Sequence, residues 1–144
     1  MPVRPTDYLD YARLVFSSSD RSEIAARTVL NRAYYSAHLS LRRLESLLAR
    51  PPAMPGASLS TKVGHDELWR MIDAWQPKQH VELRLRDLAA EARAHSRILK
   101  ALTAKRKIAD YDLVSPINRS DAALAVNEAA RLAAFADVVW AATA

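Results

Sequence analysis

Leu30-Asn31-Arg32-Ala33-Tyr34-Tyr35-Ser36-Ala37-His38-Leu39-Ser40-Leu41-Arg42-Arg43-Leu44-Glu45-Ser46-Leu47-Leu48 decides the architecture of this chain. Leu30, Tyr34, Ala37, Leu41, Leu44 and Leu48 step by three or four residues, which lays one apolar stripe along a helix. Neither Gly nor Pro interrupts the pattern, and it extends the predicted helix over residues 22–49. Pro51-Pro52-Ala53-Met54-Pro55-Gly56 then stops it, because Pro lacks the backbone donor and Gly frees the turn.

Outward from this helix the same periodicity recurs. Upstream, Tyr8, Tyr11, Ala12 and Val15 predict a first helix over residues 6–16, with Thr6 as N-cap, and Ser17-Ser18-Ser19-Asp20 breaks it. Downstream, residues 51–59 read as the one long loop. A third helix over residues 60–75 carries Val63, Leu68, Trp69, Ile72 and Trp75, and Pro77 marks the next junction. The fourth spans residues 79–108, and a connection over 111–118 contains Pro116. The fifth spans residues 120–142, with Ala125, Ala129, Leu132, Ala136 and Val139 on one face. With two Gly in 144 residues, a turn-rich β architecture is excluded. The expectation is an all-α bundle of five helices with mostly antiparallel neighbours, forming one domain over residues 1–144.

The chain has no cysteine, so disulfides, thiolate-bound zinc and a cysteine nucleophile are excluded. The stretch Met1-Pro2-Val3-Arg4-Pro5-Thr6-Asp7 has no apolar core of a signal peptide, and no run reaches the ~20 apolar residues of a membrane span. The expected location is the cytoplasm. The net charge is +5, carried by 16 Arg against 5 Lys. A GC-rich genome explains that bias; a phosphate-binding surface does so too, since Arg pairs with phosphate in a planar fork.

The charge is concentrated in the fourth helix. Arg84, Arg86, Arg93, Arg97, Lys100, Lys105, Arg106 and Lys107 face only Asp87 and Glu91 in sequence. Arg86, Arg93, Arg97, Lys100 and Lys107 share one helical face, as a binder of nucleic-acid backbone requires. A solvated helix face explains the same row. Leu88, Ala92, His95, Leu99, Leu102 and Arg106 form the opposite stripe, which directs Arg106 and His95 toward the bundle. A cation so placed must find a partner, reach out at the helix end or serve a pocket.

Four features together resemble the HEPN family. Asn31-Arg32-Ala33-Tyr34-Tyr35-Ser36-Ala37-His38 resembles its Arg-Ala-Tyr-Tyr signature, and Gly64-His65 opens the third helix after a variable loop. Arg106-Lys107-Ile108-Ala109-Asp110-Tyr111 is similar to its Arg-x-x-Ala-Asp-Tyr pattern, and a final helix of about twenty residues follows. The resemblance runs from about Asp7 to Ala142 and implies a five-helix up-and-down bundle that dimerises. It further implies a metal-independent ribonuclease without cofactor, in which an Arg holds the scissile phosphate and a His moves the proton of the ribose 2′-hydroxyl. On this resemblance Arg106, Asp110 and Tyr111 are the candidate catalytic residues. Arg86, Arg93, Arg97, Lys100, Lys107, Asn31, Tyr35 and His38 are the candidates for binding RNA or a nucleotide.

The chain departs from the nuclease pattern, since no His follows Arg106. Tyr111 stands five residues on, which is close to a variant found in toxins paired with a nucleotidyltransferase antitoxin. There the resemblance makes the Tyr a target for adenylylation. The literal Arg32-x5-His38 is set aside, because the two residues lie about 120° apart on a helix. A purely structural Arg106–Asp110 ion pair, four residues apart, accounts for the motif without catalysis. Three functions stay open: an RNA-cleaving or RNA-binding toxin, a non-catalytic module that binds a nucleotide or docks a nucleotidyltransferase, and a helical interaction protein.

Overall fold

A computed structural model describes residues 2–51 and 63–144. The described residues form helices α1 (Pro5–Ser17), α2 (Glu23–Arg42), α3 (His65–Ala74), α4 (Glu82–Leu85), α5 (Ala89–Tyr111) and α6 (Arg119–Ala142), with 3₁₀ turns at Arg43–Ser46 and Arg86–Leu88. They contain no strand; an isolated antiparallel bridge pairs Leu48 with Pro77. The loop expected over 51–59 lies outside the described residues from 52 onward, as do the first three residues of the helix expected from Ser60.

The long stripe is buried throughout: Leu30, Tyr34, Ala37, Leu41, Leu44 and Leu48 all enter one apolar cluster with Leu68, Met71 and Ile72 of α3 and Leu132 and Val139 of α6. Alanines on α6 (Ala122, Ala125, Ala129, Ala136) are buried as expected, which lets that helix approach α2 closely. No described helix is long and apolar enough to cross a membrane.

The helix ends differ from expectation for identifiable reasons. The N-cap of α1 is Arg4, not Thr6: Pro5 presets the first helical residue, and Asp7 accepts the Arg4 amide at 2.7 Å. Helix α2 ends at Arg42 and passes into the 3₁₀ turn; beyond Ser46 the amide of Leu47 turns to the Leu44 carbonyl, and those of Ala49 and Lys78 pair with the Gln76 and Leu47 carbonyls. The helix expected over 79–108 is broken before Ala89. The Trp75 indole donates to the Leu85 carbonyl at 2.8 Å, so the Ala89 amide bonds to Arg86 instead. Trp75 itself takes the left-handed conformation (φ 40°) that ends α3, a conformation unfavourable by ~1–2 kcal/mol for a side-chain-bearing residue and offset by burying the indole.

Candidate active site at the junction of three helices

Helix α2 carries Arg27, Asn31, Tyr34 and His38 at spacings of four, three and four, so these polar groups follow one face toward α3 and α5. Asn31 Nδ2 donates to both carboxylate oxygens of Asp110, each at 3.0 Å. Asp110 in turn accepts from Arg106 Nη1 at 3.2 Å. The inward Arg106 is therefore 5 % exposed and paired, the ion pair expected from their spacing. Its guanidinium lies 4.9 Å from the Tyr34 ring, 5.8 Å from Tyr35 and 6.0 Å from Tyr111. Its Nε is buried with no hydrogen-bond partner among the described residues.

Burial works against the charge on Arg106, but the Asp110 hydrogen bond, with Tyr34, Tyr35 and the Asp110 charge beside it, outweighs this and raises its pKa. The group stays a cation in a site of low polarity, where its attraction for an anion is strengthened.

Beyond Arg106 the face continues into an aromatic cluster. The Tyr34 hydroxyl bonds to His65 Nδ1 and lies 3.5 Å from His38 Nδ1. The two imidazoles stack, with centroids 4.4 Å apart, and Tyr35 meets His65 edge to face at 6.0 Å. Burial, with the nearby His65, Arg42 and Arg106, pulls the His38 pKa down to about 3. Burial and Arg106 lower that of His65 as well, against a weaker opposing pull from Asp66. Burial pushes the Tyr34 hydroxyl up to about 12. All three groups are neutral at pH 7, so the local positive charge is that of Arg106 and its flanking cations.

Arg27 fixes the end of α5 that bears this site. Its Nη1 reaches the carbonyls of Ile108, Ala109 and Asp112 at 2.9–3.0 Å, and its Nη2 reaches Ser115 at 2.6 Å and Glu23 at 3.0 Å. A cation here adds a donor to the carbonyls at the helix end, of which Ile108 also accepts the Asp112 amide, and meets the negative end of the helix dipole. Beside it, Ile24, Arg27, Thr28, Asn31, Asp110 and Tyr111 are among the residues that line an open groove of about 480 Å³.

The expected site residues are thus brought together in part. Arg106, Asp110, Asn31, Tyr35 and His38 share one cluster, in which His38 is buried beyond Tyr34, the ring against which Arg106 lies. Tyr111 is 77 % exposed at the rim. Arg86 of the 3₁₀ turn and Arg93, Arg97, Lys100 and Lys107 of α5 are exposed, and Lys107 stands beside His65 at the edge of the cluster. Lys107 pairs with Asp66 at 3.0 Å, and Lys100 lies 4.8 Å over the Trp69 ring. His95 serves packing: it stacks on Phe135 at 4.3 Å and bonds to the Glu91 carbonyl. Among the described residues no cluster of three His, Asp or Glu side chains can hold a metal ion. Reading the sequence missed Arg27, took Tyr34 as core alone and gave His65 no role; the four-three-four run of polar residues beside the apolar stripe was the available signal. No family model, no curated protein and no solved structure matches this chain.

Proposed function

We propose that this protein is a HEPN-type, metal-independent endoribonuclease or RNA binder, the toxin-like half of a pair with a nucleotidyltransferase antitoxin. One observation carries the reading: the two segments of the resemblance, 79 residues apart in sequence, meet at Asn31–Asp110, with Arg106 against Tyr34 and Tyr35. A site that holds a phosphate and stabilises its developing charge uses an oriented guanidinium, and Asp110, itself held by Asn31, fixes the Arg106 guanidinium in place. The bundle is then of the five-helix up-and-down type, and the protein works in the cytoplasm.

Exposed Ile24, Tyr111 and Leu113 line the open groove and fit a face that a second copy covers, so that two Arg106 sites work side by side. The exposure of Tyr111 suits adenylylation by the antitoxin, which would add bulk and negative charge at the rim and block RNA. The exposed row of Arg86, Arg93 and Arg97 supplies attraction for the RNA backbone.

The test is cleavage of RNA by the purified protein in EDTA. Wild type is expected to cleave, Arg106→Ala to lose at least about 100-fold, and Tyr111→Phe to retain most activity while resisting adenylylation. Wild-type protein that leaves RNA intact rules the nuclease out. The second reading, a non-catalytic module that docks a nucleotidyltransferase, is favoured by the depth of Arg106 and its existing bond to Asp110. It expects intact RNA and a stable complex with the partner.

A further inference from the structure

A ribonuclease centred on Arg106 needs a group that can carry a proton, and no His follows Arg106 along α5. The fold brings one in from elsewhere. His65 is the first residue of α3, half-buried, and its ring lies 5.5 Å from that of Tyr34 and 6.0 Å from that of Tyr35. These are the same two rings that Arg106 approaches at 4.9 and 5.8 Å. The Tyr34 hydroxyl engages Nδ1 of His65, which leaves Nε2 without a partner among the described residues. An imidazole held at one nitrogen and open at the other is the arrangement of an oriented general base.

We propose that His65 is the proton-transfer residue of the Arg106 site, with Tyr34 as the residue that positions it. The role rests on the ribonuclease reading above. His65 donates Nδ1–H to the Tyr34 oxygen, and the Tyr34 hydroxyl proton points to His38 Nδ1, buried behind it. Nε2 then takes the proton of a ribose 2′-hydroxyl as the 2′ oxygen forms its bond to phosphorus. The bond from phosphorus to O5′ breaks, the electron pair stays on O5′, and O5′ receives the proton from the imidazolium or from water. One ester replaces another and no co-reactant is consumed.

The surroundings suit the first half of that cycle. His65 is faced by Tyr34, Tyr35, His38 and Arg42 from α2, by Arg106 and Lys107 from α5, and by Asp66 of its own helix. Burial and the cations keep its ring neutral, the form that accepts a proton. The same cations are placed to attract the phosphate. His38 is an unsuitable carrier, since its Nδ1 faces the buried Tyr34 hydroxyl and burial holds its pKa down to about 3.

The experiment compares cleavage of a single-stranded RNA in EDTA by wild type, Arg106→Ala, His65→Gln, His65→Ala and Tyr34→Phe, with melting curves for each. His65→Gln and His65→Ala are expected to lose about 100-fold or more while binding RNA as wild type does. Added imidazole is expected to restore part of the His65→Ala activity and none of the Arg106→Ala activity; a His that only packs gives no such rescue. Tyr34→Phe is expected to lower the rate less than His65→Ala does. Cleavage lost in Arg106→Ala but kept within threefold in His65→Gln overturns the role of His65 and leaves the ribonuclease reading intact. RNA left whole by wild type overturns both. Should both His65 variants melt early, wild type treated with diethyl pyrocarbonate decides. Inactivation that follows acylation of His65 and is prevented by RNA supports the role; inactivation that follows His80 or His95 overturns it.

Discussion

His38 illustrates what one buried side chain does to stability. In the folded chain its pKa lies near 3, against 6.5 for the ordinary group, because burial and neighbouring positive charge disfavour the imidazolium. Between those values the unfolded chain binds a proton that the native state refuses. Stability is therefore full above about pH 6.5 and falls as the pH drops toward 3. At ~1.4 kcal/mol per pH unit the loss from pH 7 to pH 5 is on the order of 2 kcal/mol. His65 adds to it in the same direction, and Glu128, pushed up by burial, works the other way. Glu23 and Asp112 are lowered by their hydrogen bonds to Ile117 and Ser115, and lose their contribution only at more acid pH. The urea midpoint is expected to fall between pH 7.5 and pH 5, and His38→Leu to flatten that fall; equal slopes in both proteins would refute a buried neutral His38. At this scale the inward turn of Arg106 and its pairing with Asp110 were legible from spacing. Tyr34 was not, because a tyrosine in an apolar stripe gives no sign that its hydroxyl meets two imidazoles from two helices.

The elements depend on contacts that periodicity does not encode. The stripes of α2, α5 and α6 announce themselves through apolar residues at helical spacing. The break before Ala89 does not, since its cause is an indole 14 residues upstream in sequence that claims the Leu85 carbonyl. Arg27 is the same kind of case: a polar residue on α2 that terminates α5 by holding two of its last carbonyls and, beyond it, those of Asp112 and Ser115. Its side chain is 11 % exposed, so removal strips these carbonyls of their side-chain donor, although Ile108 keeps the Asp112 amide, and leaves Glu23 without its cation. Arg27→Ala is expected to cost about 2–4 kcal/mol in urea unfolding, and Arg27→Lys to recover only part, as an ammonium cannot span the same set of acceptors. Hydrogen exchange is expected to quicken at residues 109–117 in Arg27→Ala and to stay slow in the middle of α2. A loss below ~1 kcal/mol would mean that the carbonyls find water without penalty and that Arg27 holds nothing in place.

Across the whole molecule, the +5 charge matters less than how much of it is already engaged. Of the five exposed cations on α5 and the 3₁₀ turn before it, Lys107 is paired with Asp66 and Lys100 is held over Trp69. Arg86, Arg93 and Arg97 have no side-chain partner among the described residues and are exposed. If this face carries RNA, these three supply most of the counterion release. For single-stranded RNA each phosphate neutralised contributes ~0.7 to the slope of log K against log salt concentration. Replacing Arg86, Arg93 and Arg97 together with Ala is thus expected to reduce the slope by about 2 and to weaken binding at low salt. Lys107→Ala, which also frees the Asp66 carboxylate, is expected to weaken binding while the three arginines continue to set most of the slope. Periodicity in the sequence weighted all five cations alike; the partners across α3 make them unequal. Salt titrations of RNA binding by fluorescence anisotropy, with Arg106→Ala present throughout so that cleavage does not intervene, measure the difference. An unchanged slope in the triple variant would move the RNA path off this face, toward the groove beside Tyr111.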